Sequence, residues 1–74
     1  MNLSVSNLGN KVTEESLHAV FSTYGKVSSS RVLPGTDGAG MAFVEMPDEK
    51  EALTAIKKIN GKIIGGTAIM VEGS

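Results

Sequence analysis

Few residues in this chain carry reactive chemistry. The one histidine, His18, has no cysteine to join it, so neither a thiolate set nor an imidazole cluster is present to hold a metal. The carboxylates Glu14, Glu15, Asp48 and Glu51 fall where helix starts favour negative charge, not as a pair across a cleft. The glycines from Pro34 to Gly40 lack the lysine and the spacing of a phosphate-binding loop. With no nucleophile beside a base and its orienting group, no enzymatic activity, cofactor or metal is expected. What remains is Phe43, with Met41, Met70 and Arg31. A ring face, two polarizable thioethers and a planar cation are the means of stacking on flat groups, which is recognition and not catalysis.

The elements that must position these residues follow from hydrophobic period. Residues 3–8 alternate apolar and polar through Val5, which predicts a half-buried strand with Leu3 and Val5 inward and Ser4 and Ser6 outward. Asn7, Gly9 and Asn10 supply turn residues. Thr13 is a good N-cap for a helix over residues 14–24, whose stripe is Leu17, Val20 and Phe21 and whose left-handed end is expected at Gly25. Residues 27–33 read as a second strand with Val27, Ser30 and Val32 inward, a spacing that requires a bulge or a late start to the ladder. Pro34 to Gly38 is a tight turn into a third strand over 41–46, with Ala42, Val44 and Met46 on one face and Met41, Phe43 and Glu45 on the other. Asp48 and Glu51 form a capping box for a helix over 49–60, with Ala52, Ala55, Ile56 and Ile59 as its stripe and Gly61 as its stop. Residues 68–72 are the last strand, with Ile69 and Val71 inward.

The order βαββαβ is α+β, and two helices can cover only one face of a four-stranded sheet. The other face, carrying Met41, Phe43 and the outward residues of the remaining strands, is left to solvent. Leu3, Val5, Leu17, Phe21, Val44, Ile56, Ile59 and Ile69 are the expected core. The 74 residues leave room for one domain, 1–74, and no apolar run approaches the ~18 residues of a membrane span. A cytoplasmic setting is the simplest expectation. Seven basic against eight acidic residues give a net charge of −1, so no long-range field draws in a polyanion.

The core positions and turn glycines together resemble the RNA-recognition motif (RRM) family across roughly residues 2–72. The resemblance is carried by Leu3-x-Val5-x-Asn7-Leu8, by Leu17 and Phe21 ahead of Tyr24-Gly25, by Gly40-x-Ala42-Phe43-Val44-Glu45, and by Ala52-x-x-Ala55-Ile56-x-x-Ile59-Asn60-Gly61. It implies a ferredoxin-like fold, with an antiparallel sheet in strand order 4-1-3-2 and both helices on one face. It also implies a small single-domain protein of the kind that occurs in bacteria.

Such domains bind single-stranded RNA by stacking bases on aromatic residues of the two central strands. The family's third-strand octamer, K/R-G-F/Y-G/A-F-V-x-F/Y, falls here on Ala39 to Met46. Its basic lead is Ala39, its first stacking ring is Met41, and Phe43 keeps the second ring; in the first strand Ser4 stands where an aromatic is usual. Each stacked base is worth roughly 1–3 kcal/mol, so two missing rings remove about 2–6 kcal/mol. The resemblance therefore implies a weak RNA-binding module, with Phe43 as main platform and Met41, Arg31, Ser4 and Met70 around it. The alternative occupant of the same methionine-bearing face is protein, either a second copy or a partner peptide. Lys11, Lys26 and Lys62 are expected to be solvated at loops and element ends, and Lys57 and Lys58 lie on the second helix, away from that face.

Overall fold

The computed structural model describes residues 1–9, 12–33 and 40–73. Asn10, Lys11 and the expected turn from Pro34 to Gly38, with Ala39 after it, lie outside the described residues.

Strand β1 (Asn2–Leu8) buries Leu3, Val5 and Leu8. Strict alternation would turn Leu8 outward, and one extra residue prevents it. Val5 pairs with Ala42 of the third strand and Leu8 with Gly40, so β1 advances three residues while its partner advances two. Asn7 takes up the excess with φ of 61°, a left-handed conformation that asparagine tolerates better than most residues. Its Nδ2 donates to the Ala68 carbonyl at 2.8 Å, and the Thr67 hydroxyl donates to the Asn7 carbonyl at 2.7 Å.

Helix α1 (Glu14–Ser22) starts as expected, the Ser16 N–H donating to Thr13 Oγ1 at 3.2 Å, and buries Leu17 and Phe21. Its end differs from expectation. The C-cap is Thr23 in a right-handed conformation, and Gly25 is not among the residues of positive φ. Gly25 is needed for space: a Cβ there would lie 2.5 Å from Glu51 Cβ, so glycine lets the turn after α1 approach the start of the second helix.

Strand β2 (Ser29–Leu33) begins two residues later than the expected 27. Val27 packs half-buried against the core ahead of the ladder, so the late start, not a bulge, reconciles its spacing with Ser30 and Val32. Strand β3 (Gly40–Glu45) buries Ala42 and Val44 and exposes Met41, Phe43 and Glu45, with Met46 fully buried just beyond. Helix α2 (Glu49–Ile59) buries Ala52, Ala55 and Ile59. Ile56, expected in the core, is only half-buried at its margin, because it sits on the flank of the stripe and packs toward Gly73. Half of the capping box forms: the Glu51 N–H donates to Asp48 Oδ1 at 3.1 Å, while Glu51 Oε1 accepts from the Lys26 N–H instead of closing back on Asp48.

The expected strand over 68–72 is two elements. Strand β4 (Ile63–Ile64) pairs with β5 (Thr67–Ala68) across Gly65 and Gly66, both at positive φ, which suits a two-residue hairpin turn. Ile69 then bonds the chain after α2, its N–H donating to the Lys62 carbonyl and its carbonyl accepting from the Gly61 N–H. Strand β6 (Met70–Gly73) follows and joins the main sheet. That sheet is antiparallel in the order β2-β3-β1-β6, which is the expected order of the four principal strands. The apolar stripes of both helices close over one face of it in a ferredoxin-like fold.

Candidate functional site

The uncovered face is a grid set by strand register. Arg31 pairs with Phe43, Phe43 with Ser4, and Ser4 with Glu72, so these four residues form one row across β2, β3, β1 and β6. On one side of it, Leu33 pairs with Met41, and Ser6 with Met70, the bulged residues of β1 standing opposite Met41. On the other, Ser29 pairs with Glu45 and Glu45 with Asn2. Opposed residues on one sheet face hold their Cβ atoms about 4.5–5.5 Å apart, so each member of a row is within reach of the next.

All five residues expected at the site lie on this one face. Phe43 is 42% exposed at its centre, with Met41 at 44% and Met70 at 52%. Leu33, at 39%, extends the apolar strip at the β2 edge. Arg31 is exposed and Ser4 half-buried. An open hollow is bordered by Ser4, Ser29, Arg31, Phe43 and Glu45, with Asn2 at its rim. Phe43 presents its ring there because residues 42 and 44 on either side of it are packed inward.

Two carboxylates, Glu45 and Glu72, are also members of the grid, and neither is among the residues expected at the site. Glu45 shares a face with Phe43 by the period of β3 alone, so its place was legible in the sequence. Glu72 joins the row only through the β1–β6 register. Arg31 is the one basic residue in the sequence of the four sheet strands. Among the described residues neither its guanidinium nor the Glu45 and Glu72 carboxylates are engaged in a hydrogen bond or ion pair. The face therefore offers one ring, an apolar strip, a cation and two free acceptors. Among the described residues no group of three His, Cys, Asp or Glu could hold a metal, and no helix is long and apolar enough to cross a membrane.

The sequence matches the model of the RNA recognition motif over residues 3–70. This chain belongs to the RNA recognition motif family. Polyadenylate-binding protein 5 of Arabidopsis thaliana is 40% identical to the RRM over 72 residues, covering 95% of this chain and 11% of that protein's length. The RRM described here thus spans about a ninth of that relative. The crystal structure of RNA Binding Protein PG1 superposes with a TM-score of 0.87 at 37% identity, covering 97% of this chain and 90% of that one. An SXL-lethal protein/RNA complex superposes with a TM-score of 0.83 at 32% identity, covering 96% of this chain and 46% of that one. Gly40 to Glu45 of the RRM octamer form β3, with Met41 and Phe43 both outward.

Proposed function

We propose that this RRM, with residues 1–74 forming one module, binds single-stranded RNA weakly on its bare sheet face. Phe43 stacks the first base. Arg31, directly opposite it on β2, pairs with a phosphate or lies on the next base. Met41 and Met70 contact rings through sulphur, and Ser4 offers its hydroxyl to a base edge. The observation that carries this reading is the ring of Phe43, 42% exposed at the middle of a face no helix covers and at the family's stacking position. The names of the relatives, a polyadenylate-binding protein and RNA-binding structures, support the same ligand class.

Weak binding follows from what stands beside Phe43. Where the family carries further rings, Ser4 and Met41 offer much less stacking surface, a loss of about 1–3 kcal/mol per base. A shift-perturbation titration with mixed single-stranded RNA tests the reading, resonances of Arg31, Met41, Phe43 and Met70 responding before those of either helix. Replacing Phe43 by alanine is expected to weaken binding by roughly 1–3 kcal/mol. Its effect on stability should stay within about 0.5 kcal/mol, since the ring lies on the open side. Unaltered affinity in that variant would sink the stacking role.

One observation favours a second reading. Leu33, Met41, Phe43 and Met70 are all exposed on the same face, and an apolar patch of that kind also suits a protein partner or a second copy of the chain.

A further inference from the structure

We infer that Glu45 makes this face selective for guanine among the four bases. The inference rests on the RNA-binding reading above and concerns what a base stacked on Phe43 meets at its edges. Glu45 lies two residues along β3 from Phe43 on the same side of the sheet, about 6.5 Å away along the strand. Arg31 lies across the ladder from Phe43, in a direction roughly perpendicular to that. A base on the ring thus faces an acceptor along one edge and a donor along the adjacent one, at the border of the same hollow.

The chemistry of the four bases separates sharply against this pair. Guanine presents two neighbouring donors, N1–H and the N2 amino group, and a carboxylate can accept both at once. Its O6 and N7 are acceptors on the adjoining edge, the pair that arginine reads best. Adenine puts a lone pair at N1 beside its amino group, which repels the carboxylate, and turns that amino group toward the cation. Cytosine offers one amino donor next to the N3 lone pair. Uracil offers N3–H between two carbonyl oxygens.

The charge of the face points the same way. One guanidinium stands against two carboxylates, Glu45 and Glu72, and none of the three has a partner among the described residues. A face with excess acceptors gains little from phosphates and most from a ligand rich in donors.

The test is a set of short single-stranded RNAs, uridine heptamers whose central residue is guanosine, inosine, adenosine or cytidine, titrated at one salt concentration. Guanosine should bind about fivefold or more tightly than adenosine. Inosine, which lacks only the N2 amino group, should fall between them. In Glu45→Gln the guanosine–inosine difference should shrink to within about twofold, because an amide presents one acceptor and a clashing donor in place of two acceptors. Equal or tighter binding of adenosine by the unaltered protein overturns the inference, and so does a guanosine preference that survives Glu45→Gln. Binding of every oligomer without discrimination overturns the role of Glu45 and leaves the RNA reading standing. Binding of none overturns both.

Discussion

Asn60, just past α2, reaches the outer edge of the sheet: its Oδ1 accepts the Val71 N–H at 3.0 Å. The same device recurs at the opposite edge, where Glu14 Oε1 accepts the Val32 N–H at 3.3 Å from the first turn of α1. In each case a residue at a helix end occupies an outward donor of an edge strand, which both satisfies the backbone and discourages another strand from pairing there. A strand-addition mode of partner binding is thereby disfavoured at these two positions, and the open face is left as the surface for recognition.

Asn60→Ala should cost about 0.5–1.5 kcal/mol, because the part-buried Val71 N–H at the sheet edge would lose its protein acceptor. Thermal unfolding checks this, since 1 kcal/mol corresponds to roughly 4–8 °C in a domain of this size. Asn60→Asp keeps an acceptor at the same place and should recover most of the loss. Equal damage from both substitutions would mean that the helix end, not the bond to β6, is what Asn60 supports.

Gly25 and Gly61 are expected to respond differently to the same substitutions. At Gly25 the backbone is not left-handed and a Cβ would meet Glu51 Cβ at 2.5 Å, so alanine and asparagine should both destabilise, by about 1–3 kcal/mol. Gly61 has φ of 85° with open space around its Cα, so alanine should cost about 1–2 kcal/mol and asparagine distinctly less. Urea midpoints of the four variants are the measurement. Tolerance of asparagine at Gly25 would argue for a left-handed cap there after all.

Restoring the missing rings tests why binding is weak. Ser4→Tyr with Met41→Phe adds aromatic surface on either side of Phe43 without entering the core, because both side chains leave the sheet on the open side. Each ring should add about 1–3 kcal/mol of RNA affinity. A double variant that folds normally and binds no better would move the deficit from stacking to the acidic surroundings of the face, Glu45 and Glu72.

Salt separates RNA binding from self-association. Among the described residues Arg31 is the one strand-borne cation, and Lys11 lies outside them. Neutralising one to two phosphates at a slope near −0.7 each, affinity should fall only about three- to sevenfold between about 50 and 200 mM salt. An apolar interface through Met41, Phe43 and Met70 should hold or tighten over that range. Sedimentation of the protein alone decides between them: a monomer at every salt removes the second-copy reading, whereas a salt-insensitive dimer that Phe43→Asp dissociates would place protein association first.

Sequence by itself determined the features that depend on neighbours a few residues apart. The two-residue period of β3 assigned Phe43 to one face and Val44 to the other, and the stripe of α2 assigned Ala52, Ala55 and Ile59 to the core. Thr13 and Asp48 were readable as caps because each bonds an N–H three residues on. One further local signal is Gly65-Gly66 between Ile63-Ile64 and Thr67-Ala68, a turn pair that announces the β4–β5 hairpin. Tertiary structure decided the rest. That Leu8 turns inward depends on a bulge at Asn7 held by Thr67 and Ala68, some 60 positions away. That Gly25 serves space and not conformation depends on Glu51 in another helix. The row of Arg31, Phe43, Ser4 and Glu72 exists only through the registers of three separate strand pairs. Periodicity assigns a side chain to a face because the backbone repeats locally, but which residues become neighbours on that face is set by pairings between distant segments, and no local repeat encodes them.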